Sequence, residues 1–127
     1  MKKTAFLLCG ALAVAGVSAD IRSLTPVPQN ADPAGWWMKR FEEKRAEREA
    51  FATNGAPKVV FLGDSITHGW ERPQRGRRMW NRYFSAKPFK GYCLGYGGDR
   101  TEHVLWRIDH GELDGYEAKA VVLENYG

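Results

Sequence analysis

Three short apolar runs, separated by segments with a helical pattern, set the layout of the chain. The first, residues 59–62, reads VVFL and ends at a glycine; the others read FKGYCLGY (89–96) and KAVVL (119–123). The first run is typical of a strand buried on both faces of a parallel sheet, and the other two are predicted as further strands. The spacing between runs is about 25 residues, which is enough for crossovers through helices. The pattern predicts an α/β protein built on a parallel sheet.

The segment before the first strand has the pattern of an amphipathic helix. Asp32 followed by proline is a typical helix start, and the helix is expected to run to about Ala52. Trp37, Phe41 and Phe51 form its apolar stripe. The charged run FEEKRAERE is interpreted as its solvated face and not as a docking surface.

Residues 70–82, WERPQRGRRMWNR, combine five arginines with two tryptophans. Arginines between aromatic rings can bind a single nucleic-acid strand. Pro73 and Gly76 interrupt this segment, however, so we interpret it as a loop that enters a helix. The face of that helix that packs on the sheet is expected to hold Trp80, Tyr83 and Phe84. No nucleic-acid partner is expected.

The third helix is predicted over TEHVLWRIDH, residues 101–110. Asp99 and Glu102 have the spacing of an acidic capping box at its start. Its core-facing side chains are expected to be Val104, Leu105 and Ile108, and its closing glycine Gly111.

The first residues have the pattern of a secretory signal peptide. Two lysines precede the apolar run 5–17, and small residues end at Ala19. Residues 1–19 are therefore predicted to be cleaved off, which implies a secreted or periplasmic protein without a membrane span. Cys9 would leave with this segment, so Cys93 would remain as a buried cysteine without an intrachain disulfide partner. Residues 20–57 are then a lead-in and helix, and residues 58–127 the functional domain.

Candidate chemistry follows the first two strands. Ser65 comes directly after the first strand, and the glycine-rich stretch 95–99 follows the second. Adjacent parallel strands bring such turns side by side, so the Gly98 N–H can face the oxygen of an ester attacked by Ser65. The position two after the serine is Thr67, which excludes the G-x-S-x-G elbow. No Cys/His cluster has metal-ligand spacing, and no metal or cofactor is expected.

FLGDSITHGW resembles the first block of the SGNH (GDSL-type) hydrolases. GYGGDRTEHVLWRI, followed by GEL, resembles the second block of their platelet-activating-factor acetylhydrolase-like branch. The resemblance covers roughly residues 36–123 and implies the N-terminal half of a three-layer α/β/α, flavodoxin-like fold. It implies that Ser65 is the nucleophile, that the N–H groups of Ser65 and Gly98 form an oxyanion hole, and that Asp64 and Asp99 support the site. The implied substrate is an acetylated carbohydrate or another short acyl ester.

Two features of the family pattern are incomplete. Asn125 is the third candidate for the oxyanion hole that the resemblance implies, although it stands about three residues before the position of the family's asparagine. The family's Asp-x-x-His block is absent from the sequence. None of the three histidines is a strong candidate for the catalytic base. His103 is expected to cap a helix, His68 to line the cleft, and His110 to lie at a helix end. Two interpretations stay open at this point: an ester hydrolase, or a non-catalytic remnant or glycan-binding pseudoenzyme.

Overall fold

A computed structural model of the chain describes residues 21–86 and 88–126. The predicted signal peptide and Cys9 lie outside these residues. Short 3-10 turns lie at Arg22–Leu24 and Gly69–Glu71. The helices and strands, in chain order, are α1 (Trp36–Glu49), α2 (Phe51–Asn54), β1 (Val59–Gly63), α3 (Ser65–His68), α4 (Arg77–Tyr83), β2 (Gly91–Gly95), α5 (Thr101–Asp109) and β3 (Ala120–Glu124).

The three strands form one parallel sheet in the order β2-β1-β3. In its register, Leu62 lies opposite Leu94 on one side and Leu123 on the other. The chain crosses from β1 to β2 through α3 and α4, and from β2 to β3 through α5. The predicted α/β fold with a parallel sheet is confirmed.

Alternate residues along β1 and β2 pack on opposite faces of the sheet. On one face, Val60, Leu62, Tyr92 and Leu94 pack with Phe51 of α2 and Val104 of α5. On the other face lies a second cluster, which contains Phe61, Cys93 and Trp80 together with the partly buried Trp70 and Phe84. Helices therefore cover β1 and β2 on both faces. The prediction that Cys93 is buried is confirmed, and burial raises the pKa of its thiol to about 11.

Three predicted boundaries or positions are wrong. Helix α1 begins at Trp36, because the Asp32 carboxylate accepts a hydrogen bond from the Ala34 N–H in a turn that precedes the helix. Strand β2 begins at Gly91, where the chain lies directly against the ring of Trp80. Tyr83 is 47% exposed and does not pack on the sheet. The stripe predicted for the first helix is confirmed: Trp37, Phe41 and Phe51 are buried, the last of them in α2.

Strand β3 is apolar but exposed. Its side chains Val121, Val122 and Leu123 are between 45% and 66% exposed. Within the described residues, β3 pairs with β1 alone, and no strand pairs with its outer edge. Beside it runs an apolar groove of about 360 Å³, lined by Leu62, Thr101, Val104, Leu105, Ile108, Leu123 and Asn125.

Candidate active site

Ser65 lies at the carboxyl end of β1 as the first residue of α3, and it is exposed. The residue before it, Asp64, caps the helix: one carboxylate oxygen accepts a hydrogen bond from the Ile66 N–H at 2.9 Å. The other oxygen accepts one from the Tyr126 N–H, beyond β3, at 3.0 Å. Asp64 thus holds the turn at Ser65 from both sides, and its supporting role in the site stays a prediction.

Two glycines let α3 lie directly on the ends of the strands. Gly63 and Gly95 face each other across β1 and β2. A Cβ atom on Gly95 would lie 2.0 Å from the His68 backbone nitrogen, and one on Gly63 would lie 1.9 Å from the Glu124 carbonyl oxygen. Neither position has room for a side chain, because backbone fills the space in both cases. The helix that begins at Ser65 is consequently packed against the end of β2.

The turn after β2 contains the other predicted oxyanion donor. Gly98 has a φ of +79°, the left-handed region that glycine adopts without strain, and it is exposed. Its N–H has no hydrogen-bond acceptor in residues 21–86 and 88–126, and the same holds for the Ser65 N–H. The neighbouring Gly97 N–H donates to His68 Nδ1 at 3.2 Å. This bond joins the turn that contains Gly98 to the helix that begins at Ser65.

Asp99 lies behind this turn in a buried polar network. Its carboxylate accepts hydrogen bonds from Trp37 Nε1 at 2.7 Å, from Arg107 Nε at 2.9 Å and from Gln29 Nε2 at 3.0 Å. Burial raises the pKa of Asp99, although Arg107 and these donors oppose the shift. Asp99 is therefore a support of the turn and not the cap of α5.

Sequence reasoning missed Arg107, which is the centre of this network. It is fully buried, ion-paired with Asp99 and Glu112, and its guanidinium lies 4.0 Å from the centre of the Tyr96 ring. It also donates to the carbonyl oxygens of Leu94 and Gly63, both at 3.3 Å. Arg107 thus ties α5 to the ends of both strands under the candidate site. Arg107 lies in a segment with the pattern of an ordinary amphipathic helix, and that pattern gives no sign of this role.

The predicted capping box at the start of α5 is wrong in its residues. The N-cap is Arg100, whose N–H donates to His103 Nδ1 at 2.9 Å. Glu102 is buried and pairs with Arg100 and with Arg22. The capping role expected for His103 is thus confirmed, and burial lowers the pKa of its ring.

The three histidines are hydrogen-bonded to groups other than Ser65. His110 stands at the exposed end of α5, where it stacks on Trp106. No histidine in residues 21–86 and 88–126 makes a hydrogen bond with the Ser65 hydroxyl, and that hydroxyl has no other partner there. The described residues also contain no group of three or more His, Cys, Asp or Glu side chains arranged to hold a metal ion.

A second charged cluster lies on the side of α1. Arg40 donates to the Gly95 carbonyl oxygen at 2.9 Å and to Glu71 at 2.6 Å, and Lys44 donates to Glu71 at 2.6 Å. Although burial opposes the shift, Lys44 and Arg40 lower the pKa of Glu71. Lys44 is itself buried, so the prediction that the charged run of this helix is solvated is wrong there. The spacing from Phe41 to Lys44 is helical, and this signal could have placed Lys44 on the buried side.

Asn125 takes a different position from the other predicted site residues. It lines the apolar groove between α5 and β3, together with Leu62 and Thr101. Ser65 and Gly98 do not line this groove. The structure therefore brings the turns that carry Ser65 and Gly98 together and leaves Asn125 on the side of β3.

No protein-family model matches the chain. Among curated proteins, the platelet-activating factor acetylhydrolase IB subunit alpha1 of Rattus norvegicus is 36% identical over 102 residues, which cover 78% of this chain and 38% of that protein. The alpha1 subunit of Homo sapiens gives the same figures. The IB subunit beta homolog of Drosophila melanogaster is 37% identical over 103 residues, covering 78% of this chain and 39% of the relative.

The chain thus spans about two-fifths of the length of the curated relatives it matches. These homologues belong to the SGNH (GDSL-type) hydrolases, and they support the resemblance at that coarse level. They likewise support a hydrolase or esterase-like function.

The same relatives contradict the predicted secreted or periplasmic location. Platelet-activating factor acetylhydrolase IB subunits are intracellular proteins, so the prediction is wrong. Its basis, an apolar run of about a dozen residues, is not specific to export, because runs of that length also occur in buried helices. In the described part of the chain, no helix is both long enough and apolar enough to cross a membrane.

Proposed function

We propose that the chain carries the nucleophile and part of the oxyanion hole of an SGNH-type ester hydrolase. One observation carries the proposal: the Ser65 hydroxyl stands at the start of a helix that is hydrogen-bonded to the turn with the Gly98 N–H, and neither group has a hydrogen-bond partner among residues 21–86 and 88–126. These are the groups that acyl transfer requires, namely a nucleophile and donors for the developing oxyanion.

In this mechanism Ser65 Oγ attacks the ester carbonyl carbon while a base takes the hydroxyl proton. The carbonyl oxygen becomes an oxyanion that accepts hydrogen bonds from the N–H groups of Ser65 and Gly98. Collapse of this intermediate expels the alcohol with a proton and leaves an acyl-serine, which water then hydrolyses. We infer that the base belongs to the part of the relatives' length that this chain does not span, since none of its described histidines bonds to Ser65.

The proposed substrate is an acetylated carbohydrate or another short acyl ester. The names of the relatives specify an acetylhydrolase, which supports a short acyl group. Trp36 supports a ring in the alcohol part: it is 48% exposed and stacks on His68, with ring centres 6.3 Å apart. An exposed indole beside the site offers a flat apolar surface to the face of a sugar ring.

The second candidate is a non-catalytic protein that binds glycan esters without cleaving them. The observation that favours it is the absence of a hydrogen-bonded base at Ser65 in the described residues. An unassisted hydroxyl is a poor nucleophile at neutral pH.

A fluorophosphonate probe tests the proposal on the 127-residue chain. We expect slow labelling at Ser65, located by mass spectrometry, and none in Ser65→Ala. The matched control is Ser85→Ala, which removes an exposed serine whose hydroxyl bonds to the Asn81 carbonyl oxygen. Turnover of 4-nitrophenyl acetate should be feeble, because loss of triad partners leaves only about 10³–10⁴-fold acceleration over water. Equal labelling of wild type and Ser65→Ala contradicts the assignment of the nucleophile.

A further inference from the structure

The Gly97–Gly98 turn is fixed by side chains from separate parts of the chain. Gln29, in the lead-in, donates to the Gly97 carbonyl oxygen at 3.0 Å and also to Asp99. His68, at the end of α3, accepts from the Gly97 N–H at 3.2 Å. Both polar groups of Gly97 are therefore bound by side chains, whereas the next N–H, that of Gly98, has no acceptor in the described residues.

The contacts of His68 determine which ring nitrogen carries its proton. Nδ1 faces two donors, the Gly97 N–H at 3.2 Å and an Arg72 guanidinium nitrogen at 3.4 Å. An arginine has no acceptor, and neither has a backbone N–H, so Nδ1 must present its lone pair. The ring is then neutral with its proton on Nε2, which is the tautomer that can hold the turn.

The surroundings of His68 favour this neutral form. Burial is the main cause that lowers the pKa of the ring to about 4, and Arg40 and Arg72 add to it. From α1, Lys44 acts in the same direction, and Glu71 of the neighbouring 3-10 turn opposes it. Trp36 of α1 covers the ring by stacking at an interplanar angle of 16°. At neutral pH the side chain is therefore an acceptor that is fixed in place.

We propose that His68 is a positioning residue, which binds the Gly97 N–H so that the turn presents only the Gly98 N–H as an oxyanion donor beside Ser65. The inference rests on the proposed function. It adds that His68 determines which of two adjacent N–H groups, that of Gly97 or that of Gly98, is available to the oxyanion. Because His68 and Ser65 belong to the same short helix, the bond also fixes the turn relative to the nucleophile. Such fixed geometry matters because oxyanion donors act through preorganisation.

Two variants separate the acceptor from the ring. His68→Asn keeps an acceptor near the position of Nδ1, whereas His68→Phe keeps a ring that can stack on Trp36 but has no acceptor. The first readout is amide hydrogen exchange of Gly97 in the ¹⁵N-labelled 127-residue chain at pH 7. We expect exchange about fivefold faster in His68→Phe, which corresponds to the loss of one hydrogen bond of about 1 kcal/mol, and near wild-type exchange in His68→Asn.

The second readout is the ¹⁵N chemical shifts of the His68 ring in the wild type, which should show an unprotonated Nδ1 at pH 7. A protonated Nδ1, or unchanged Gly97 exchange in a folded His68→Phe, overturns the proposal. If His68→Phe does not fold, the ring shifts and the His68→Asn exchange decide the question alone. Fluorophosphonate labelling of Ser65 in the same variants is read separately, because its failure in the wild type counts against the proposed function and leaves the exchange result intact.

Discussion

The two strands that flank β1 differ in how far other elements cover them. Leu62 has a leucine opposite it on each side, and the two are a natural pair for comparison: Leu94 in β2 is fully buried, whereas Leu123 in β3 is 66% exposed. Helices cover β2 on both faces, but β3 borders an open groove. A similar apolar sequence thus has two different environments in one sheet.

The two flanking strands also make different contributions to the candidate site. The side of β2 supplies the turn with Gly98, held by His68, Gln29 and the Arg107 network. The side of β3 leads to Asn125, which lines the groove. On the β2 side, the turn with Gly98 is bound by side chains of α3, α5 and the lead-in, whereas on the β3 side the Tyr126 N–H donates to Asp64. The difference between the two sides therefore lies in the packing of the strands.

The largest effect is expected from the buried charges on the covered side. Arg107→Met leaves the carboxylates of Asp99 and Glu112 buried without their partner, which should cost about 3–5 kcal/mol of unfolding free energy. The matched control is Arg45→Met, which removes an exposed pair with Glu42 and should cost less than about 1 kcal/mol. Urea unfolding measures both. Equal losses in the two variants contradict the role given to Arg107.

The next effect concerns the close approach of α3 to β2. Gly95→Ala places a methyl group where backbone already lies, so we expect a loss of about 3 kcal/mol. Gly97→Ala is the control two residues later, since its Cβ would meet the flexible Arg72 side chain at 3.4 Å. That variant should lose less than about 1 kcal/mol. Thermal unfolding distinguishes them, and a Gly95→Ala protein as stable as Gly97→Ala contradicts the packing described.

The paired leucines test the comparison most directly. Leu94→Ala should cost about 2–3 kcal/mol, because it opens a cavity in a filled core. Leu123→Ala makes the same chemical change at an exposed position and should cost less than about 0.5 kcal/mol. Urea unfolding of the two single variants gives both values. A loss at Leu123 as large as that at Leu94 means that something covers β3 in solution.

The smallest effect is a dependence of stability on pH through His68. Its pKa is lowered in the fold to about 4, so the unfolded chain binds the proton first as the pH falls below about 6.5. The contribution of His68 is therefore complete above pH 6.5 and is lost between pH 6.5 and 4. With allowance for solvent screening, it amounts to about 1 kcal/mol. Unfolding curves at several pH values should show a smaller loss over this window in His68→Asn; identical pH profiles contradict the prediction.

The sequence was sufficient for features that depend on neighbours in the chain. The apolar runs predicted the three strands, and the Gly-Asp-Ser turn after β1 predicted where Ser65 lies. Cys93 was predicted as buried because it lies within a strand-like run. These signals are local, since side-chain periodicity and glycine positions act within a few residues.

Features that depend on distant contacts could not be predicted in this way. Asp99 and Glu102 have the spacing of a helix cap, but Asp99 instead meets Trp37 and Arg107 in the interior. The exposure of β3 depends on what packs against it, which its own residues do not encode. The hydrogen bond of His68 joins α3 to a turn 29 residues later in the chain.

The carboxylate of Asp64 has a consequence for the order of assembly. It bonds to the Ile66 N–H, which is local, and to the Tyr126 N–H, which lies 62 residues away. A contact of such long range forms only after the intervening loop has closed, and closure of long loops is slow. The turn at Ser65 can therefore form its cap early, but its second anchor waits for β3 to dock on β1. Ser65 therefore reaches its final hydrogen-bonded setting only after β3 has paired with β1.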